Sequence, residues 1–479
     1  MATENTHLGA ERIDALLQNC KSIFFIGIGG INMSSLAHLT HRRGYRVGGS
    51  DRTRTALTER LAAEGIQVLY AHDRTNVADY DAVVYTVAIS PDNPEYQAAR
   101  ERGIPCISRA DYLGYLMTGY QRRIGIAGMH GKSSCTSMCA QALIEAGADP
   151  TVLSGAELSV MNGAYRVGGQ ENFVFEACEY MDSFLDFNPT VAVILNIEMD
   201  HVDYFKSMEQ IRASYARYAA LTGDGGYAVY NGDDGEVCCA LEEYRGNRIT
   251  FGIEAEDVDF RAVRITSRRG RYAFDVLHRG EIFCHVQLSV TGYHHIYNAL
   301  ATVAVCHLCG VTPEKIESGL LRFSGARRRM EWKGTLGGAD VYDDYGHHPT
   351  EIRATLEGAR GIPEQGGRLF CVYQPHTYSR TAALFEEFST AFAHADRVLL
   401  VDIYAARETD TLGVSSEKLA NAIGIKATYA GDVRNAADLL CREVREGDAV
   451  VVMGAGDVYR IFSCLPLQNT GKDERDERM

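Results

Sequence analysis

The chain has 479 residues, and its 48 basic and 63 acidic side chains give a net charge of -15 at pH 7. That balance argues against a nucleic-acid or anionic-membrane surface, while leaving room for a local basic pocket. The length is too great for one ordinary core, so two to four domains are expected, and the 46% apolar fraction is that of a globular protein. Thirteen cysteines spread along the chain, with Cys238 and Cys239 adjacent, read as free thiols of a reducing compartment. No run of about 18 apolar residues offers a membrane span. The N-terminal stretch MATENTHLGAERIDALLQNCK has no basic segment followed by an apolar run, so a cytoplasmic protein is expected.

In chain order, SIFFIGIGG is a continuous apolar run ending in glycines, SSLAHLTHRRG has helical spacing, and YRVGGSD reads as a second strand. DAVVYTVAIS and IPCIS predict further strands of this first α/β unit. RRIGIAGMHGKSSCTSMCAQALIEAG repeats the order strand, glycine turn, helix. NFVFEACE and TVAVILNI are bounded by polar residues, as buried parallel strands are, and GYAVYN and RITFGI continue the pattern. Short alternation over 258–290 predicts antiparallel ribbons before the helical HHIYNALATVAVCHLCG. A third α/β unit carries RLFCVYQ, ADRVLLVDIY, KATYAG and DAVVVMGAG as strands, and the tail LQNTGKDERDERM is expected to fray. The expected fold class is α/β in three domains: Rossmann-like over 1–118, a central phosphate-loop parallel sheet over 119–326, and Rossmann-like over 327–479.

The first glycine turn holds Gly27, Gly29 and Gly30 after a strand, with Asn32 where a dinucleotide fingerprint has its last glycine. Asp51 stands at the spacing of the acidic residue in that fingerprint. Such a turn reads a diphosphate at a helix N-terminus and does not by itself select NAD; the bland alternative is a strand–helix turn with no ligand. The second turn keeps Gly128, Gly131, Lys132, Ser133 and Ser134 of a phosphate loop but has Ile126 in place of the first glycine. It supplies amides, a lysine for the β- and γ-phosphates and a hydroxyl for Mg²⁺. Glu176, Glu179, Asn196, Asp200, His201 and Asp203 follow two predicted neighbouring strands, where parallel sheets bind ligands. An ATP–Mg²⁺ site is the sharp reading, and solvated acidic loops are the alternative.

With GIGGINMS, GMHGKSSCTS, FEACEYMDSFL, NIEMDHVDYF, GYHHIYNALA, FSGARRRMEWKG, DDYGHHPTEI, QPHTYSRT, DIYAARE and GAGD in order, the chain resembles the muramyl peptide ligases over nearly its whole length. The resemblance implies a UDP-sugar in the first domain, ATP in the central domain and an incoming amino acid in the third. It implies joining of L-alanine to the lactyl carboxylate of UDP-N-acetylmuramic acid through an acyl phosphate, in peptidoglycan precursor synthesis, by a monomer or homodimer. Gly27, Ile28, Gly29, Gly30, Asn32, Met33 and Ser34 would then cradle the UDP diphosphate, with Asp51 and His72 toward the uridine. Gly128, Met129, His130, Gly131, Lys132, Ser133 and Ser134 would hold ATP phosphates, Asn298 the adenine with His294 on the same helical face, and Arg329 and Asp344 phosphate and ribose.

Ser133 would serve one Mg²⁺, and Glu176 and His201 a second, with Mn²⁺ as a substitute. Tyr345, His347 and His348 would lie near the amino acid, and His376 and Arg380 would face the substrate carboxylate or acyl phosphate. Lys132, His201, His347, His348 and Arg380 are the catalytic candidates. The sequence departs from the commoner pattern at Asn32, Met129, Cys178, Tyr180, Met181, His295 and Thr377, the last in place of an arginine. Rival readings are a sister ligase adding a peptide, a nicotinamide oxidoreductase using only the first turn, and a non-catalytic nucleotide-binding regulator.

Overall fold

The structure, a computed structural model, describes residues 3–468 apart from 162, 202, 203, 269, 326, 407 and 411. Asp203 and the tail from 469 onward lie outside the described residues. The chain forms two compact units, residues 1–260 with 301–316, and residues 261–300 with 317–479.

The first unit holds two sheets. One has the strands β1 (Ser22–Ile26), β2 (Arg46–Ser50), β3 (Gln67–Leu69), β4 (Ala82–Tyr85) and β5 (Cys106–Ser108). They are all parallel, in the order β3–β2–β1–β4–β5. All five residues of β1 are buried, which is why SIFFI runs apolar without alternation. The stretch DAVVYTVAIS yields only the short β4, because the chain turns at Thr86, whose carbonyl accepts from Ile89 N at 3.1 Å.

The other sheet has β6 (Arg122–Ala127), β7 (Thr151–Leu158), β8 (Gly163–Arg166), β9 (Asn172–Glu176), β10 (Val191–Ile194), β11 (Tyr227–Asn231) and β12 (Asn247–Gly252). Their order is β12–β11–β10–β6–β9–β7–β8. Only β7 and β8 pair antiparallel. This pair was not foreseen: TVLSGAEL mixes Ser, Gly and Glu and has no clean period. The two sheets share one core, in which Phe25, Tyr112, Phe173, Phe184 and Tyr218 are buried.

The second unit begins with ribbons from β13 (Phe260–Arg268), β14 (Arg271–His278) and β15 (Glu281–Thr291), of which β14 and β15 are antiparallel, as the alternation predicts. Its sheet has β16 (Glu331–Leu336), β17 (Ala339–Asp344), β18 (Leu369–Tyr373), β19 (Arg397–Val401), β20 (Ala427–Gly431) and β21 (Ala449–Met453), in the order β16–β17–β21–β18–β19–β20. Only the β16–β17 hairpin is antiparallel. The hairpin escaped the sequence reading, although Gly337-Gly338, with φ 56 and 87, is a tight-turn signal. The start of the tail is not frayed: Gln468 exchanges two backbone hydrogen bonds with Thr335, at 2.9 and 3.0 Å.

Candidate active site

The first glycine turn follows β1 and opens the helix Ile31–Arg42. Gly27 has φ 84, and a Cβ there would lie 2.8 Å from Thr86 Cγ2. The Ser50 carbonyl, at the end of β2, accepts from Gly27 N at 2.8 Å and Ile28 N at 2.9 Å. Asp51 Oδ2 accepts from Gly29 N at 2.9 Å, and Oδ1 from Thr53 N at 3.0 Å, so this carboxylate shapes the turn itself. The side chains of Ile28 and Met33 are buried in the core, and the Ser34 hydroxyl donates to Ile31 O at 2.9 Å. None of these three predicted side chains is therefore left for a ligand, and the Ile28 and Ser34 amides are donated to Ser50 O and Gly30 O. His72 sits beside Ser50 and a buried Glu95.

The second turn joins β6 to the helix Lys132–Glu145. Gly131 is left-handed with φ 83, and Gly128 has φ 145 against Leu195. Ile126 takes the place of the missing glycine as a buried residue of β6. The loop is instead clasped by Asn196, just past β10: its Oδ1 accepts from His130 N at 2.8 Å, and its Nδ2 donates to His130 O at 3.0 Å. Met129 packs into the core. Lys132 Nζ donates to Gly128 O at 2.5 Å and Met129 O at 3.2 Å, and pairs with Glu179 Oε2 at 3.1 Å.

Glu179 is grouped with Glu176 in the sequence but given no individual role there. It is 1% exposed and also meets His201 Nε2 at 3.0 Å. Burial would raise its carboxyl, but Lys132 and His201 outweigh this and hold it below the usual carboxylate range. Burial pulls the Lys132 ammonium down, and Glu179, Cys178 and Glu176 more than reverse it. His201 has φ 50, and its ring lies 4.9 Å from that of Tyr180. Ser133 Oγ donates to Glu176 Oε2 at 3.1 Å, while Glu176 Oε1 accepts from Ser154 Oγ at 3.1 Å and Gly155 N at 2.5 Å. A hydroxyl and a carboxylate together at a helix start are hard oxygen donors that suit Mg²⁺. The hydrogen bonds join Ser133 to Glu176, and His201 to Glu179 rather than to Glu176.

The helix His294–Leu308 carries Asn298, whose Nδ2 lies 3.3 Å from His295 Nδ1. Burial, with His294 and Arg329 nearby, drives His295 well below the usual imidazole range. Asp344, at the end of β17, accepts from Met330 N at 2.9 Å and Gly346 N at 2.8 Å. Burial raises its carboxyl, opposed by Arg329. The Arg328 and Arg329 guanidinium groups lie 5.1 and 5.3 Å from the Tyr345 ring centre.

His348 caps the helix Pro349–Ala359: its Nδ1 accepts from Thr350 N at 3.4 Å, and Glu351 accepts from His348 N at 3.2 Å. This gives the second histidine of the pair a structural task. The His347 ring is 5.6 Å from Tyr345 and 6.0 Å from His376. His376 stacks on Tyr404, and Arg380 Nη1 lies 3.5 Å from its Nδ1. Burial and then Arg380 lower the His376 pKa, favouring a neutral imidazole. Thr377, which stands for the commoner arginine, caps the helix Tyr378–Ala383 with φ 67 and ψ 145, a conformation glycine adopts readily and threonine rarely.

Two glycine turns, each leaving a parallel strand for a helix, and a lysine paired to a buried carboxylate define a multidomain nucleotide-binding α/β enzyme. Family models match three segments: "Mur ligase family, catalytic domain" over 22–121, "Mur ligase middle domain" over 126–306, and "Mur ligase, glutamate ligase domain" over 328–456. The chain belongs to the Mur ligase family. It is 45% identical to a UDP-N-acetylmuramate–L-alanine ligase of Caldanaerobacter subterraneus subsp. tengcongensis over 93% of this chain and 97% of that protein. A ligase of the same name from Clostridium novyi is 44% identical over the same shares. The crystal structure of the UDP-N-acetylmuramate–alanine ligase of Thermotoga maritima superposes with a TM-score of 0.77 at 26% identity, covering 93% of this chain and 98% of that one.

Proposed function

We propose that this protein joins L-alanine to the lactyl carboxylate of UDP-N-acetylmuramic acid, converting ATP to ADP and phosphate. The observation that carries this reading is 45% identity, over 93% of the chain, to a protein bearing that activity in its name. Three tasks are assigned along the chain: UDP-sugar to 1–118, ATP to 119–326 and amino acid to 327–479.

A carboxylate is a poor acyl donor at neutral pH. Transfer of the γ-phosphoryl group to it creates a leaving group, and the alanine amine then attacks the acyl carbon and expels phosphate. Such chemistry needs positioning and charge neutralisation. The first turn of the helix Ile31–Arg42 takes the UDP diphosphate, since the Gly27, Ile28 and Gly29 amides are already donated to Ser50 O and Asp51 Oδ2. Lys132 exchanges its hold on the Gly128 and Met129 carbonyls for β- and γ-phosphate oxygens. Ser133, Glu176 and His201 are assigned to Mg²⁺, two ions in all with Mn²⁺ as a substitute; when bound they neutralise phosphate charge. Arg380 faces the substrate carboxylate or acyl phosphate. His376, whose lowered pKa favours the neutral imidazole, accepts the proton the amine must lose, or His347 beside it does.

The test is phosphate release from ATP with UDP-N-acetylmuramic acid, adding L-alanine, glycine or L-serine in turn. Strong stimulation is expected only when sugar nucleotide and L-alanine are both present. Release that ignores alanine and answers to a tripeptide would overturn the assignment in favour of a peptide-adding ligase.

A further inference from the structure

Ser50 links the first glycine turn to a buried polar network. Its carbonyl holds Gly27 and Ile28, and its hydroxyl donates to Glu95 Oε2 at 2.6 Å and lies 3.1 Å from His72 Nδ1. Glu95 is 0% exposed, in the first turn of the helix Pro94–Glu101. His72 Nδ1 lies 2.7 Å from its Oε2, and Asn76 Nδ2 donates to its Oε1 at 2.6 Å. Asn76 also donates to Ala71 O at 2.9 Å, fixing the loop that carries His72. Glu95 thus accepts one directed hydrogen bond on each oxygen, from Ser50 Oγ and from Asn76 Nδ2. The Ser50 proton is directed at Glu95, so the hydrogen-bond network puts the proton of a neutral His72 on Nδ1 and a lone pair on Nε2.

We propose that Glu95 is a positioning residue that locks His72 in this tautomer, so that Nε2 accepts a hydrogen bond from an N–H or O–H of the bound nucleoside. The donor is the uracil imide or a ribose hydroxyl; this rests on the uridine reading of the first turn. Cytosine, which has a lone pair where uracil has its imide proton, would set two acceptors face to face. Neither the glycine motif nor the spacing to Asp51 reveals Glu95, which sits far along the chain from the turn it serves.

The test uses the full chain, with nitrogen NMR of His72 and calorimetric titration with UDP, CDP and 2′-deoxy-UDP. An unprotonated Nε2 is expected in the wild type and its loss in Glu95→Gln, with UDP binding about tenfold weaker. In turnover, KM for the sugar nucleotide rises about as much while kcat falls less than twofold, and Glu95→Asp recovers part of both signals. If the base is the donor, CDP is the weak ligand and Glu95→Gln narrows its deficit; if the ribose is, 2′-deoxy-UDP behaves so. A proton on Nε2 in the wild type, or equal UDP affinity in Glu95→Gln, overturns the proposal. A wild type that turns over ATP with alanine yet binds no UDP overturns the uridine reading beneath it.

Discussion

Glu179 carries two partners in a dry place: Lys132 on one oxygen and His201 on the other, with 1% of its own surface exposed. Removing one member of such a group leaves the others charged and unpaired, which costs more than the pair gains by forming. Glu179→Gln should therefore lower unfolding free energy by about 3–5 kcal/mol, read from denaturant midpoints. Adding Lys132→Met should restore part of it, a coupling only a double-mutant cycle shows. Asp186 makes a different case. Burial pushes its carboxyl up to about 6, from 3.8, against the opposing pull of His7 and Arg109 and with Asp111 adding to the rise. The folded state then holds this proton more tightly than the unfolded chain, so stability from this group is greatest below pH 4 and is lost as pH rises through about 6. Asp186→Asn should flatten that fall of roughly 2–3 kcal/mol between acid and neutral pH, measured by urea unfolding at several pH values.

At the scale of single elements, His348 poses a choice between cap and catalyst. Its side chain ends the run of unpaired amides at the start of Pro349–Ala359, and Glu351 answers from inside the helix. His348→Asn should keep stability and His348→Ala lose about 1 kcal/mol. Turnover that survives in the Asn variant would confine His348 to capping, and turnover lost with stability intact would assign it to the reaction. The elements differ in how plainly the sequence announces them. Parallel strands such as SIFFI and AVVVM are buried on both faces, so an unbroken apolar run suffices to find them. β7 and β8 were invisible because their residues carry no period, and β16–β17 because charged residues in EWKGTL and ADVYDD break up the apolar run that marks the other strands. Lys132 and both glycine turns were legible from local spacing. Glu179 was not: two acidic residues three apart in FEACE look alike, and only the backbone past β9 decides which one is turned toward the lysine.

For the molecule as a whole, all thirteen cysteines are free, and only Cys238, Cys239, Cys441 and Cys464 are exposed. Thiol titration of the native protein should show these four reacting first, with the remainder following on unfolding. Burial raises the thiol pKa of Cys371, Cys284 and Cys309, so these should react last. No helix among the described residues is long and apolar enough to cross a membrane. The clasp of Asn196 on His130 has a further bearing on engineering. In this chain the phosphate loop is not a self-contained cassette, since a neighbouring strand's amide braces it where the consensus would rely on another glycine. Grafting residues 128–134 onto a foreign scaffold would transplant the letters without the brace. The portable module is the loop together with the tip of β10, two segments more than sixty positions apart that behave as one part.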